Sequence, residues 1–300
     1  MKDIVLYCKS YHRDFLRLRR LLESIQRFNQ DKIDFYISTP ESEKDLLDKA
    51  LLDAGDYLWV SDESIIFSNP RADLERYKKM PGRLSQQIVK AEFWRLKLCT
   101  NYVCLDSDSV FIKDFEKKDF INFEGNPYTV LHQNKELFQL AVNRGFTKFT
   151  DELKAEAIRV QNIFERHGPQ FYCAPSPFIW SAKVWESLDE KLLIPAGINI
   201  WSFIREDLPE SLIYGESLLR FKAIPLHAIE PIFRVYHFNW QYFLMLRLGE
   251  NKHKLRSNYL GVLYQSTWEY DLNFDHNSKS WSSQQLKKIK YFLRYLQSFF

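Results

Sequence analysis

The segment "NYVCLDSDSVFIKDF", residues 101–115, begins as an apolar run and then places two carboxylates one residue apart. Residues 102–105 are typical of a buried β-strand, and apolar chain resumes at Val110. Asp106, Ser107 and Asp108 form the only Asp-x-Asp sequence in the chain. Their position directly after a predicted strand is the feature from which both the fold and the site are predicted.

The first half of the chain alternates between predicted strands and helices. Strands are predicted in "DIVLYCKSY" (3–11), "IDFYIST" (33–39), "YLWVSDE" (57–63) and "NYVCLDSD" (101–108), and helices between them at 13–28, 41–55 and 83–99. This order favours an α/β fold with a mostly parallel central sheet flanked by helices. Ligands bind at the carboxyl ends of such strands, so Ser10, Asp62, Asp106 and Asp108 are predicted to share one rim.

The second half is less regular, with strands predicted in "PYTVLH" (127–132) and "SPFIWS" (176–181) and a helix over 151–168. The sequence contains neither internal repeats nor a low-complexity linker. We therefore predict one domain over residues 1–281, followed by a C-terminal helix over 282–300.

Composition narrows the functional classes. The chain has 300 residues, of which 45% are hydrophobic, and a net charge of +3, so no global basic field points to nucleic acid. Its four cysteines lack metal-site spacing and are predicted to be reduced core residues. We find no secretion signal and no run near the roughly 18 apolar residues of a membrane span, so a cytoplasmic location is expected.

An Asp-x-Asp turn after a strand can bring two carboxylates onto one cation. Hard divalent ions such as Mn²⁺ and Mg²⁺ prefer oxygen ligands and leave positions open for water and phosphate. A cation held by Asp106 and Asp108 would neutralise a diphosphate leaving group. The alternative is a solvated turn with a local side-chain hydrogen bond.

Two nearby features support the cation hypothesis. Gln87, Lys90 and Trp94 are spaced to share one helical face, from which Lys90 would reach a phosphate. His237, after the apolar run "FRVY", is a candidate third metal ligand. The alternative for the helix is that Trp94 faces the core beside a solvated Lys90. The alternative for His237 is a core histidine that only hydrogen-bonds to protein groups.

These stretches together resemble the GT-A class of nucleotide-sugar glycosyltransferases, of the bacterial cell-surface polysaccharide type. The matching segments are "IVLYCKSY", "SQQIVKAEFWRL", "NYVCLDSDSVFI", "SPFIWS", "IYGESLL" and "FRVYHF", spread over residues 4–238. The resemblance implies a GT-A-like fold, a divalent cation on Asp106 and Asp108 with His237, and nucleotide contact near Cys8 and Ser10. It also implies that residues 1–281 form one catalytic domain, with a nucleotide-binding part over about 1–115 and an acceptor part over about 116–281. The chain lacks a glycine-bearing motif after Asp-x-Asp and a complete Glu-Asp base motif, which leaves retention or inversion of configuration open.

Roles are then assigned residue by residue. The predicted donor-binding residues are Cys8, Ser10, Asp62, Gln87, Lys90, Asp106 and Ser107. The catalytic candidates are Asp108 and Glu216, with Glu230 and Asp207 as weaker bases. The alternative for Glu216 is a helix-start glutamate favoured by the helix dipole. His132, Ser176 and Trp180 are predicted to contact the acceptor, Trp180 by stacking on a sugar face, with a core tryptophan as the alternative.

The final segment, residues 282–300, is predicted to be an amphipathic basic helix. Leu286, Ile289, Leu293, Leu296 and Phe300 share one helical face, among four basic residues without an acid. Such a helix is typical of peripheral binding to an anionic inner membrane face. The alternative is a helix packed on the domain.

The sequence therefore predicts a metal-dependent glycosyltransferase that moves a sugar from a nucleotide-sugar donor, a UDP-sugar first among them, to a glycan or lipid-linked acceptor in capsule or lipopolysaccharide synthesis. A binding module of the same fold that has lost catalysis is the alternative. A nucleotidyltransferase ranks below both, because "CKSYHRDF" lacks a glycine-rich phosphate loop after the first strand.

Overall fold

A computed structural model describes residues 1–172, 176–269 and 281–297. Its strands are β1 Lys2–Lys9, β2 Phe35–Thr39, β3 Leu58–Ser61, β4 Cys99–Leu105, β5 Ser109–Phe111, β6 Tyr128–Val130, β7 Phe178–Ser181, β8 His227–Ile229, β9 Phe233–Tyr236 and β10 Gly261–Tyr264. Its helices are α1 Phe15–Phe28, α2 Lys44–Leu51, α3 Asp62–Phe67, α4 Leu74–Lys79, α5 Gly82–Glu92, α6 Lys135–Asn143, α7 Thr147–Ile163, α8 Ala182–Leu188, α9 Ile200–Phe203, α10 Glu210–Phe221, α11 Asn239–Arg247, α12 Lys252–Asn258, α13 Ser266–Glu269 and α14 Trp281–Gln297.

The central sheet has five strands in the order β3-β2-β1-β4-β7. The first four run parallel, and β7 pairs antiparallel with β4. Two smaller sheets, β5-β10-β9 and β6-β8, complete the architecture. The predicted α/β fold with a mostly parallel sheet and flanking helices is therefore confirmed.

The sheet is buried on both faces, which explains the nearly continuous apolar runs of its central strands. In β1, Val5 and Tyr7 point into a core formed with α3, α5, α8 and α10. Ile4, Leu6 and Cys8 point to the opposite side, where α1 and α2 cover the sheet. The cysteines Cys8, Cys99 and Cys104 are buried free thiols, while Cys173 lies outside the described residues.

Several predicted elements end earlier than expected. The helix predicted over 41–55 is a 3-10 turn, Glu41–Glu43, followed by α2. Asp62 is the first residue of α3 rather than a strand-end loop residue, because the Ser61 hydroxyl accepts a hydrogen bond from the Ser64 N–H at 3.0 Å and caps the helix. α5 ends at Glu92 and a 3-10 turn, Phe93–Leu96, follows, so Trp94 is not on the helix of Gln87 and Lys90 and packs on the core instead.

α10 is longer than its sequence indicated. It begins at Glu210, so Glu216 is in the middle of the helix rather than in its first turn.

The helix α14, near the end of the sequence, packs beside α11. Within the part of the chain that the structure describes, no helix is long and apolar enough to cross a bilayer.

Candidate active site

The carboxyl ends of the parallel strands open into a cavity of about 710 Å³. Parallel pairing aligns these ends, since Cys8 is beside Leu105 and Lys9 is beside Ser38. The cavity wall includes Asp106, Ser107 and Asp108 from the end of β4 and Gln87 and Lys90 from α5. The structure thus brings together five of the residues predicted from the sequence.

The Asp-x-Asp turn is fixed by backbone hydrogen bonds on both sides. The Asp106 N–H donates to the Ser176 hydroxyl at 2.7 Å, and the Ser109 N–H donates to the Asp106 carbonyl at 3.0 Å. The Asp108 carboxylate accepts from the Ser266 N–H at 2.7 Å. Both aspartates are therefore held at the cavity by groups from the chain before β7 and from the chain after β10.

Lys90 is buried and forms an ion pair with Asp106. Burial, the largest single effect, lowers the pKa of the Lys90 ammonium, but the ion pair with Asp106 and the nearby charge of Glu210 act together against it, and the net effect raises this pKa above its usual value. Lys90 is thus a fixed positive charge in the cavity wall. The Tyr102 hydroxyl donates to the Lys90 carbonyl at 3.0 Å and helps to orient this part of α5.

Lys9 is a second basic residue in the cavity wall, and it forms an ion pair with Asp62, which does not line the cavity. Their side chains are 2.8 Å apart and both are buried. The Tyr77 hydroxyl donates to the same Asp62 oxygen at 3.3 Å. Burial raises the pKa of Asp62, and the Lys9 charge opposes that rise. The sequence predicts that Asp62 contacts the donor, but in the structure Asp62 is fully buried and orients Lys9 instead.

Sequence reasoning missed Glu210, which lines the same cavity at the start of α10. Its side chain is buried, and burial raises the pKa of this carboxyl to about 6, although Lys90 opposes the shift. The Glu210 N–H donates to Gln87 at 3.4 Å. The Pro209-Glu210 pair could have signalled a helix start, since proline is favoured there.

Glu216, the predicted base, is in a different environment. Both of its oxygens are engaged by Arg166, one at 2.8 Å from the guanidinium; Glu216 is buried, Arg166 is half-buried, and neither lines the cavity. The weaker candidates are also elsewhere: Asp207 forms a surface ion pair with Arg159 at 3.1 Å, and Glu230 is almost fully exposed. Glu216 therefore has the geometry of a structural ion pair.

Four further predicted contacts lie in the core rather than at the cavity. Cys8 faces the helices α1 and α2, and burial raises the pKa of its thiol. Ser10 and Ser176 are buried, and Ser176 supports the Asp-x-Asp turn. Trp180 is 2% exposed and stacks on Phe178 at 5.0 Å between ring centroids. Cys8 and Ser10, predicted to contact the donor, and Ser176 and Trp180, predicted to contact the acceptor, are thus all buried in the structure.

The two predicted histidines line a second cavity of about 410 Å³ beside β9. Burial lowers the pKa of His237 to about 4, and burial also lowers the pKa of His132. His237 therefore lines a different cavity from Asp106 and Asp108. The residues that the structure describes contain no cluster of three His, Cys, Asp or Glu side chains arranged to hold a metal ion.

Three solved structures share this architecture. An active-site mutant of LgtC matches with a TM-score of 0.51 at 10% identity, covering 95% of this chain and 94% of that one. The galactosyltransferase LgtC in complex with donor and acceptor sugar analogs matches with a TM-score of 0.50 at 10% identity and the same coverage. The apo bifunctional glycosyltransferase WbbM matches with a TM-score of 0.50 at 13% identity, over 88% of this chain but only 46% of WbbM.

At these identities the likeness concerns the fold, and it confirms the predicted GT-A-like architecture. A comparison with curated proteins found no significant sequence match. The family described as a family of unknown function, DUF6492, matches residues 3–289. The chain therefore belongs to the DUF6492 family.

Proposed function

We propose that this protein is a metal-dependent glycosyltransferase that uses a nucleotide-sugar donor. The observation that carries the proposal is the single cavity at the strand ends that combines Asp106 and Asp108 with the buried cation Lys90. Its position agrees with the general location of ligand sites in parallel α/β sheets. The LgtC structure, by its own description, holds donor and acceptor sugar analogs in a molecule of the same fold.

The charges of the cavity support a requirement for a cation. Its described lining includes four basic residues, Lys9, Arg13, Arg83 and Lys90, and five acidic ones, Asp14, Glu43, Asp106, Asp108 and Glu210. Because the acids outnumber the bases, this wall alone does not favour a nucleoside diphosphate. An added divalent cation would reverse that balance.

Asp106 and Asp108 fit such a cation without a third protein ligand. Mg²⁺-like ions commonly take one or two carboxylates and complete their shell with water and substrate phosphates. Mn²⁺ or Mg²⁺, when bound there, would neutralise charge on the departing diphosphate. Lys90 already pairs with Asp106, so its ammonium would stand next to the same phosphates.

Glu210 replaces Glu216 as the carboxylate proposed to contact the reacting sugar or the acceptor hydroxyl. It lines the cavity with the Asp-x-Asp pair, whereas both oxygens of Glu216 are occupied by Arg166. The acceptor is proposed to be a glycan or a lipid-linked saccharide in bacterial polysaccharide synthesis. This part of the proposal rests on the resemblance of the sequence to glycosyltransferases of that type.

A thermal-shift screen against UDP-, GDP-, CMP- and dTDP-sugars, each with Mn²⁺ and with EDTA, tests the proposal. We expect one donor class to raise the melting temperature only with Mn²⁺, because a ligand at 100 times its Kd stabilises the native state by about 2.7 kcal/mol. Release of free nucleotide, measured on the same samples, reports turnover.

The matched variants are Asp108→Asn and Asp151→Asn. The amide introduced by Asp108→Asn would retain an acceptor oxygen for the Ser266 N–H while losing the charge, whereas Asp151 is an exposed residue of α7. The shift should vanish in Asp108→Asn and persist in Asp151→Asn. A Mn²⁺-dependent shift without nucleotide release from any donor would favour the inactive binding module. No shift with any nucleotide would contradict the proposal.

A further inference from the structure

The helix α14 exposes a row of large apolar side chains. The exposed fractions are 59% for Leu286, 55% for Ile289, 59% for Phe292, 52% for Leu293 and 41% for Leu296. We call these five residues the α14 apolar face. Isolated exposed apolar residues are ordinary on protein surfaces, but five along one helix form a continuous patch of the kind that marks an interaction site.

This face is not the one that attaches α14 to the domain. Tyr291 makes that contact, with its ring 4.9 Å from the ring of Phe243 on α11 and at a steep angle to it. Tyr291 joins a small core with Tyr236, Val262 and Trp268. The sequence left open whether the apolar residues pack on the domain. In the structure the helix is anchored through a tyrosine, and the four described members of the predicted stripe remain exposed; Phe300 lies outside the described residues.

The charge of the helix indicates what would cover this face. Between Trp281 and Gln297 the sequence contains Lys287, Lys288, Lys290 and Arg294 and no Asp or Glu. Lys290 is exposed. A second copy of the same face would bring two such helices together against their like charges. An anionic lipid surface offers both a medium for apolar side chains and compensation for the positive charge.

We infer that the α14 apolar face binds the surface of an anionic membrane, with α14 lying parallel to the bilayer plane. The anchoring of Tyr291 on α11 fixes the helix to the body of the protein, so membrane binding positions the whole domain. The inference does not depend on the proposed catalytic activity, because it rests on exposure and charge at a separate element.

Co-sedimentation of the full chain with vesicles tests this inference. The probes are vesicles of phosphatidylcholine mixed with phosphatidylglycerol and vesicles of phosphatidylcholine alone. We expect binding to the anionic vesicles that weakens with added salt, and much weaker binding to the neutral ones. The double variant Ile289→Gln/Leu293→Gln should lower the partition coefficient by about tenfold or more. Lys290→Gln should lower it by roughly fivefold.

The matched control is Leu16→Gln/Leu46→Gln, which removes two side chains of similar exposure, 58% and 51%, from α1 and α2. This control should bind as the wild type does, and all variants should keep the wild-type melting temperature. Equal binding to neutral vesicles, equal loss in the control, or no vesicle binding by the wild type would overturn the inference. So would a dimer in sedimentation velocity that dissociates in the α14 double variant, because it would assign the face to a second copy.

Discussion

Glu210 and Glu216 both lie on α10, but only Glu210 lines the cavity at the strand ends. Six positions apart on a helix, they point in different directions, and Glu216 meets Arg166 instead of the cavity. A sequence pattern can indicate that both are on a helix. It cannot indicate which faces a cavity, because that depends on how α10 is rotated against α5 and α8.

The first prediction concerns the titration of Glu210. Burial raises the pKa of this carboxyl from 4.5 to about 6, so the folded protein binds a proton that the unfolded chain releases between these values. The contribution of Glu210 to stability is therefore fully present below pH 4.5, the pKa in the unfolded chain, and is lost as the pH rises through about 6, the pKa in the folded protein. The advantage of Glu210→Gln over the wild type should grow by about 2 kcal/mol from about pH 4.5 to about pH 7.5.

The measurement is urea unfolding of both proteins across this pH range in EDTA, so that bound cations do not contribute. A constant difference between the two proteins would contradict the shifted pKa. If Glu210 also contacts the reacting sugar, the variant should lose nucleotide release while gaining relative stability at neutral pH. Such a trade-off is typical of buried functional groups.

At the scale of secondary structure, the elements that were predicted best from the sequence are those whose position depends on a single physical cause. β1 and β4 are buried on both faces, so their apolar runs identified them directly. The Asp-x-Asp pair was placed correctly at the cavity because its position follows from the end of β4. Local capping and tertiary contacts determine other features, which the periodicity of apolar residues in the sequence does not indicate. These features are the start of α3, the 3-10 turn after α5 and the first residue of α10.

The second prediction concerns the link between the chain after α7 and the helix α10. Arg166, a half-buried residue just beyond α7, pairs with the buried Glu216. Breaking a buried ion pair leaves the remaining charge uncompensated, so Glu216→Gln should lower the free energy of unfolding by roughly 3 kcal/mol. Because Glu216 is outside the cavity, the variant should keep the nucleotide-induced thermal shift.

An exposed pair provides the control for this variant. Lys148 and Glu152 on α7 are 3.8 Å apart and largely solvated, so Glu152→Gln should change stability by less than about 0.5 kcal/mol. Denaturant unfolding measures both variants. Loss of the nucleotide shift in a folded Glu216→Gln protein would restore the original assignment of Glu216 to the active site.

At the scale of the whole molecule, stability is distributed unevenly. The central strands β1 and β4 have apolar partners on both faces, whereas among the described side chains of α14 Tyr291 packs on α11 and five large apolar side chains are exposed. Local opening requires little free energy where few apolar contacts are lost. We therefore expect α14, the element proposed to meet the membrane, to open at a lower free-energy cost than β1 and β4.

The last prediction follows from this distribution and is measured by hydrogen–deuterium exchange. Amides of β1 and β4 should exchange only through global unfolding, and amides of α14 should exchange orders of magnitude faster. Anionic vesicles should slow exchange in α14 and leave exchange in β4 unchanged. The reason is that the lipid surface binds and stabilises only the helix whose apolar face is exposed. Protection of α14 equal to that of β4 in the absence of lipid would show that its apolar face is already covered in solution.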